Sequence, residues 1–283
     1  MFPTPIDRVS APVRGLYKAA LPISLLLWLA PIVAVALTSI RGQADLNAGN
    51  YWGLPTQWQI AENYSAVFQN TPILHYIGNS FLVTIPTVIG AVALSCLAGF
   101  ALGIYRFKLN LWVFFLFVGG NFVPFQILMV PVRDLSLKLG LYDTVTGLVL
   151  FHVAFQTGFC TFFMRNFIRD LPHELIEAAR IEGASEWQIF WKVVLPLVRP
   201  AIAALAVLIF TFIWNDYFWA TVLIQGDHAM PVTGGLKTLN GQWVAQWHLV
   251  SAGSIIAALP PVAIFFLMQK QFIAGLTMGA TKG

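Results

Sequence analysis

The sequence predicts an all-α integral membrane protein in which six transmembrane helices form a single domain. Composition is the first reason: of 283 residues, 58% are hydrophobic and 10% charged, against roughly 45–50% and about 25% in an average soluble domain. Mean hydropathy is +0.75. The second reason is length. Six apolar runs, at about 19–40, 78–104, 111–131, 144–164, 198–224 and 249–269, each reach the roughly 20 residues a helix needs to cross about 30 Å of hydrocarbon. Thirdly, the runs lack the alternation of strands, which argues against a barrel. The 22 glycines and 16 prolines fit membrane helices, where both are commoner than in soluble ones. Cys96 and Cys160, the two cysteines, sit in apolar runs and make no disulfide framework.

In chain order, residues 1–18 read as a cytoplasmic N-terminal segment and 19–283 as one transmembrane domain. The first run follows Arg8, Arg14 and Lys18, a start like that of a signal peptide, and Ala34-Val35-Ala36 offers a cleavage site. Its apolar length exceeds a signal core of about 7–15 residues, which favours a retained helix. The outer loop at 41–77, broken by Gly49, Gly53, Pro55 and Pro72, is expected to form a small cap with a short helix near Glu62 to Phe68. Asn79 and Ser80 open the second run; two roles suit them, lining a pathway or capping the helix. Gly99 and Gly103 give the second run a G-x-x-x-G spacing for close helix packing.

Pro124, Gln126 and Pro131 interrupt the third run after Gly119, Gly120 and Asn121. A hinge and a static kink are both consistent with such a break. Gln156 and Thr157 are polar positions in the fourth run, suited to bonds between helices. The fifth holds Asp216, about 18 residues or about 27 Å along it and so nearer the outer face. A charge within a membrane helix is a functional hypothesis by default. With Trp214, Asn215, Tyr217, Phe218 and Trp219 it combines hydrogen-bonding groups with rings, a mixture that suits a sugar; structure or gating is the other reading. After the sixth run, the stretch with Gly275, Gly279 and Gly283 keeps no helical period beyond about Ala274.

Basic residues set the orientation. With the N-terminus cytoplasmic, one face collects Arg8, Arg14, Lys18, Arg106, Lys108, Arg165, Arg169, Arg180, Lys192, Arg199, Lys270 and Lys282, twelve of the sixteen. The other keeps Arg41, Arg133, Lys138 and Lys237. This asymmetry predicts that both termini are cytoplasmic. The net charge of +4 is then a matter of topology and lipid headgroups, and nucleic-acid binding has no other support. Trp52, Trp58, Trp243 and Trp247 fall at the expected outer boundary, where indole rings are favoured.

One cytoplasmic loop, 165–197, is long and holds five of the twelve acids: Asp170, Glu174, Glu177, Glu182 and Glu186. Apolar residues recur there at helical spacing, which predicts short amphipathic helices outside the bilayer. Pro172 suits a first turn, Gly183 a left-handed stop, and Ser185 with Gln188 a capping box. Ala178, Ala179, Gly183 and Ala184 form a small-residue surface that another protein's backbone can approach. A helix lying on lipid is the alternative.

Catalytic chemistry is hard to assemble. The chain has no G-x-x-x-x-G-K-[ST] loop for nucleotide phosphates. His173-Glu174-x-x-Glu177 lacks the second histidine of a zinc-binding helix, and the five histidines are scattered.

Glu177-Ala178-Ala179, Gly183-Ala184, Phe190, Leu195-Pro196-Leu197 and Pro200 resemble the cytoplasmic EAA signature of ABC-importer membrane subunits, with Glu182 where many relatives have Asp. Glu62-Asn63-Tyr64, Asn79-Ser80, Arg165-Asn166-Phe167, Leu171-Pro172, Glu174, Trp214-Asn215-Asp216 and the stretch from Gly275 to Gly283 resemble the carbohydrate-uptake branch, in particular the smaller six-helix permease of maltose-type transporters. The similarity covers nearly the whole chain. It implies a type I importer permease fold and a non-catalytic bacterial inner-membrane subunit. A second homologous permease, two copies of a cytoplasmic ATPase and a periplasmic solute-binding protein would be its partners. It also implies that Glu177, Ala178, Ala179, Glu182, Gly183 and Ala184 dock into the ATPase, where ATP and Mg2+ would be bound, so that this chain holds no cofactor. The C-terminal tail reaching the ATPase is a further possibility of that branch. A stand-alone secondary transporter would show internal repeats and several buried charges; a permease for a non-sugar solute is the nearer alternative.

Overall fold

The computed structural model describes residues 10–241 and 245–278. Arg8, Trp243, Gly279, Lys282 and Gly283, used above, lie outside the described residues. Among the described residues every regular element is helical: α1 (Ala11–Ser39), α2 (Gln43–Asn47), α3 (Ile60–Asn70), α4 (Ile73–Ile104), α5 (Asn110–Gly119), α6 (Met129–Lys138), α7 (Val145–Arg169), α8 (His173–Ile181), α9 (Glu186–Ile189), α10 (Leu195–Leu197), α11 (Arg199–Trp214), α12 (Phe218–Leu223), α13 (Val232–Gly235) and α14 (Trp247–Met278). Four of these, α1, α4, α7 and α14, are each long and apolar enough to cross a membrane. Two more spans exist if bent pairs are counted: Asn110–Phe122 with Phe125–Lys138, at 89°, and Glu186–Leu197 with Arg199–Trp214, at 74°.

The bends correct two of the expected runs. The third is not one helix over 111–131: Val123 is extended, as the residue before a proline tends to be, and α6 starts afresh at Met129. The fifth does not continue to 224. α11 stops at Trp214, its last turn closed by Asn215, and α12 opens after a break. Apolar Phe218 and Trp219 follow directly, so hydropathy alone does not register the stop. The sixth is longer than expected, helical from Trp247 to Met278 and so past Ala274.

Two compact units divide the chain. One comprises residues up to Thr71 together with Thr238–Ile256. Within it the expected outer cap is folded: Arg41, fully buried, gives its guanidinium to Leu37 O at 3.2 Å and Gly53 O at 2.8 Å. From α3, Asn63 donates to Ser39 O and Arg41 O, each at 2.9 Å. Asp45 accepts from the Thr56 hydroxyl at 2.6 Å and its N–H at 2.9 Å, which holds its carboxyl below the usual range.

The second unit comprises Pro72–Lys237 and α14 from Ala257. Its seam is α4 against α7. A Cβ at Gly99 would lie 2.9 Å from Arg165 N and 3.1 Å from Met164 C, so the two backbones touch there. This gives the G-x-x-x-G pair its partner surface. α11 packs on α4 through Phe81 and Trp214, ring centroids 4.8 Å apart. Trp214 Nε1 also donates to Ala257 O at 3.0 Å. That carbonyl would ordinarily bond to the N–H four residues on, but Pro261 has none, and the indole supplies the missing donor.

Candidate functional site

The knob is built by its turn. α8 ends in a Schellman motif: Gly183 has φ +83°, its N–H donates to Arg180 O, and Ala184 N–H donates to Ala179 O, both at 3.0 Å. α9 begins at once under a capping box, Ser185 Oγ accepting from Gln188 N–H at 3.3 Å and Gln188 Oε1 accepting from Ser185 N–H at 2.8 Å. Across the turn, Arg180 donates to Glu186 at 2.8 and 3.2 Å, and Tyr105 donates its hydroxyl to Glu186 Oε2 at 2.5 Å. The hydrogen bond to Glu186 holds the Arg180 guanidinium above its usual range. Burial, then the Glu186 carboxylate, pushes the Tyr105 phenol up to about 12. Tyr105 and Glu186 as a brace were not legible in the sequence, because the loop after α4 meets the knob only in the fold.

The brace fixes which residues are left outside. Ile176 is the buried anchor of α8. Glu177, Ala178, Glu182 and Gly183 are exposed, while Ala179 and Ala184 are half-buried. Ile181 is 87% exposed at the tip, a large apolar side chain with no cover among the described residues. Glu177 has no hydrogen-bond or ion-pair partner among the described residues. Its carboxylate is therefore available to a cationic group from outside.

A second site lies at the break after α11. Asp216 accepts from Ala220 N–H at 2.9 Å and Trp219 N–H at 3.3 Å, so it caps α12. Its Oδ2 also lies 3.4 Å from His152 Nε2 of α7, and His152 is 3% exposed. Neither ring nitrogen of His152 has a hydrogen bond among the described residues. Asp216 and His152 line a cavity of about 320 Å³ with Asn121, Gln156, Phe125, Phe155, Phe159, Phe212, Ile213 and Trp219. This is the small end of the roughly 300–1,000 Å³ typical of ligand sites. Polar groups from α7, from the turn after α5 and from the break before α12 converge among aromatic faces. His152 was missed as the partner of Asp216 and Asn121 as a lining residue: 64 residues separate His152 from Asp216, and no local spacing signals the pair.

Of the residues expected beside Asp216, Trp219 lines this cavity, while Asn79, Ser80, Trp214, Asn215 and Tyr217 do not. Asn215, exposed, donates to Thr211 O at 2.9 Å, and Tyr217 is exposed beside it. Trp214 is buried and bonded to Ala257 as described. Asn79 and Ser80 are buried in the second turn of α4 rather than at its cap. Asn79 donates to His228 O and Met230 O, each at 3.1 Å, and Ser80 Oγ accepts from Val232 N–H at 2.8 Å. Ser80 thus caps a helix, but α13 and not its own. Nearby, Asp143 accepts from Gln225 N–H at 2.7 Å and Gly226 N–H at 2.9 Å. Burial alone would raise its carboxyl, yet these bonds and the neighbouring His228 hold it below the usual range. Among the described residues no group of three or more His, Cys, Asp or Glu is placed to hold a metal ion.

Residues 82–278 match the family described as binding-protein-dependent transport system inner membrane component. A probable ABC transporter permease of Pyrococcus horikoshii is 34% identical over 251 residues, covering 88% of this chain and 91% of the relative. The arabinooligosaccharides transport system permease AraQ of Halalkalibacterium halodurans is 36% identical over 208 residues, 74% of each chain. Among solved structures, a bacterial ABC transporter involved in the import of the acidic polysaccharide alginate superposes with a TM-score of 0.79 at 24% identity, covering 93% of this chain and 99% of that one. The fold is that of an ABC importer permease, and the chain belongs to the family of binding-protein-dependent transport system inner membrane components, the non-catalytic membrane permeases of ABC transporters.

Proposed function

We propose that this chain forms half of the translocation pathway of an ATP-driven importer of a sugar or sugar derivative, and that its α8–α9 knob docks into a cleft on a cytoplasmic ATPase. The observation that carries the docking is the exposed, partnerless Glu177 on a small-residue face whose turn is held rigid from behind. ATP and Mg2+ are then bound by two ATPase copies, a second homologous permease completes the pathway, and a periplasmic binding protein delivers the solute. Both termini face the cytoplasm on this reading, the side of the basic majority. A rigid knob transmits displacement without absorbing it, so closure of the ATPase pair tilts the helices attached to α8 and α9. The sugar class is supported by the arabinooligosaccharide and alginate transporters that the chain resembles.

The test is Glu177→Ala in the assembled transporter. Losing a charge-assisted hydrogen bond of about 1.5–3 kcal/mol should weaken docking roughly 10- to 100-fold. Uptake and ATP hydrolysis stimulated by the binding protein should fall while the chain still inserts in the membrane. Unchanged coupled turnover would remove the docking assignment.

The cavity around Asp216 is the part of the pathway this chain contributes, and its mixture of aromatic faces and polar groups suits sugar hydroxyls and C–H faces. Asp216→Asn preserves an oxygen for the α12 cap and removes the charge facing His152. Uptake is expected to drop several-fold, about 1 kcal/mol, at unchanged assembly. Normal uptake in that variant would take the cavity off the pathway.

A further inference from the structure

A second cavity, about 640 Å³, opens between the turn joining α4 to α5 and the end of α7. Among the described residues four cationic ones line it, Arg106, Lys108, Arg165 and Arg169, with His173 at the start of α8, and no carboxylate does. None of the four is in an ion pair among the described residues. Like charges so gathered repel one another unless an anion sits between them. The carbonyls at the end of α4 meet only one of the four, Arg165, and are otherwise taken by Asn110. Leu102 O accepts from Asn110 Nδ2 at 3.0 Å and Arg165 Nε at 3.2 Å, and Tyr105 O from Asn110 Nδ2 at 2.9 Å. Arg165 is held in place by the Phe114 ring, 4.0 Å from its centroid.

We propose that this cavity binds a phosphate ester and that its occupant is the headgroup of an anionic phospholipid. A free phosphate ion offers the same oxygens. The lipid is favoured by what surrounds the charges. The cavity has apolar walls at Ile104, Phe107 and Leu111, and Leu111, Trp112 and Leu116, 55%, 70% and 77% exposed, continue along α5 as a track for an acyl chain. The volume also exceeds what a bare ion needs and suits a glycerophosphate group. The lining runs through Arg165 and Arg169 to His173, four residues before Glu177. A bound headgroup therefore steadies the joint between α7 and the knob. That consequence rests on the docking reading above; the binding itself does not.

The purified transporter, in detergent, is incubated with phosphatidylglycerol or phosphatidylcholine, and the lipid retained is counted by native mass spectrometry. Phosphatidylglycerol should be retained about tenfold or more over phosphatidylcholine, the scale of one or two basic residues facing an anionic headgroup. Arg106→Gln/Lys108→Gln/Arg169→Gln together should abolish the preference, and Arg106→Lys/Arg169→Lys should keep it. Where the triple variant fails to insert, Arg106→Gln and Arg169→Gln singly should each lower retention several-fold. Equal retention by the wild type and these variants would overturn the site. Displacement of phosphatidylglycerol by inorganic phosphate would overturn the lipid as occupant. In nanodiscs, phosphatidylglycerol should raise coupled ATP hydrolysis of the wild type and not of the triple variant. Retention without that rise would leave the site standing and remove its link to the knob.

Discussion

A chain carrying Gly99→Leu is expected to accumulate in the membrane at less than about a tenth of the wild-type amount as monodisperse, extractable protein. The Cβ alone would meet Arg165 N at 2.9 Å and Met164 C at 3.1 Å, and both are backbone atoms. A flexible side chain can turn away from such a contact, whereas α7 can yield only by moving as a helix. Overpacking of this kind costs about 1–3 kcal/mol, and the upper end applies where backbone is the neighbour. About 3 kcal/mol is more than a hundredfold in the folded ratio. Gly78→Leu is the control: it sits on the same helix with nothing within 4 Å of its Cβ. Size-exclusion of a fluorescent fusion after detergent extraction reads both. Equal yields for the two variants would mean that the α4–α7 seam is not held at Gly99.

Gly183→Val is expected to leave insertion and yield near normal and to remove most coupled transport. Gly183 has φ +83°, and open space surrounds its Cβ position, so the penalty is entirely one of backbone conformation. A β-branched residue there costs about 1–3 kcal/mol. Relief comes from releasing the hydrogen bonds of Gly183 N–H and Ala184 N–H that close α8. The knob then loses its fixed angle, although the spanning helices are untouched. Gly183→Asn should recover much of the transport, since asparagine tolerates the left-handed region. Uptake and ATP hydrolysis measured on reconstituted transporter separate the two variants. If Asn and Val behave alike, the left-handed turn is not what the knob needs.

Local signals in the chain proved sufficient for the knob. Gly183 stops α8 and Ser185 with Gln188 starts α9, each at the position its chemistry predicts, while Pro172 stands at the N-cap, one residue before the first turn expected of it. The outer cap was legible for a similar reason, since the polar, Gly- and Pro-broken stretch after α1 leaves room only for a short helix such as α3. The break at Val123 was legible as the interruption at Pro124, though not its size, whereas the stop at 215–217 was not, because apolar residues continue on both sides and hydropathy sees one run. Asp216 stood out as a charge, but the ring that faces it did not. His152 looks like an isolated polar residue until α7 is laid beside the start of α12.

The sequence by itself determined the class, the apolar runs and the turn that carries the knob, because each of these depends on residues within a few positions of one another. Tertiary structure decided what each polar group is for. Asn79 and Ser80 hold the loop before α13, Trp214 satisfies the carbonyl that Pro261 leaves open, and Asp216 lines the cavity with Trp219. A buried polar group must find a partner, and for Asn79, Ser80 and Trp214 that partner is 43 to about 150 residues away, a distance over which no spacing rule operates.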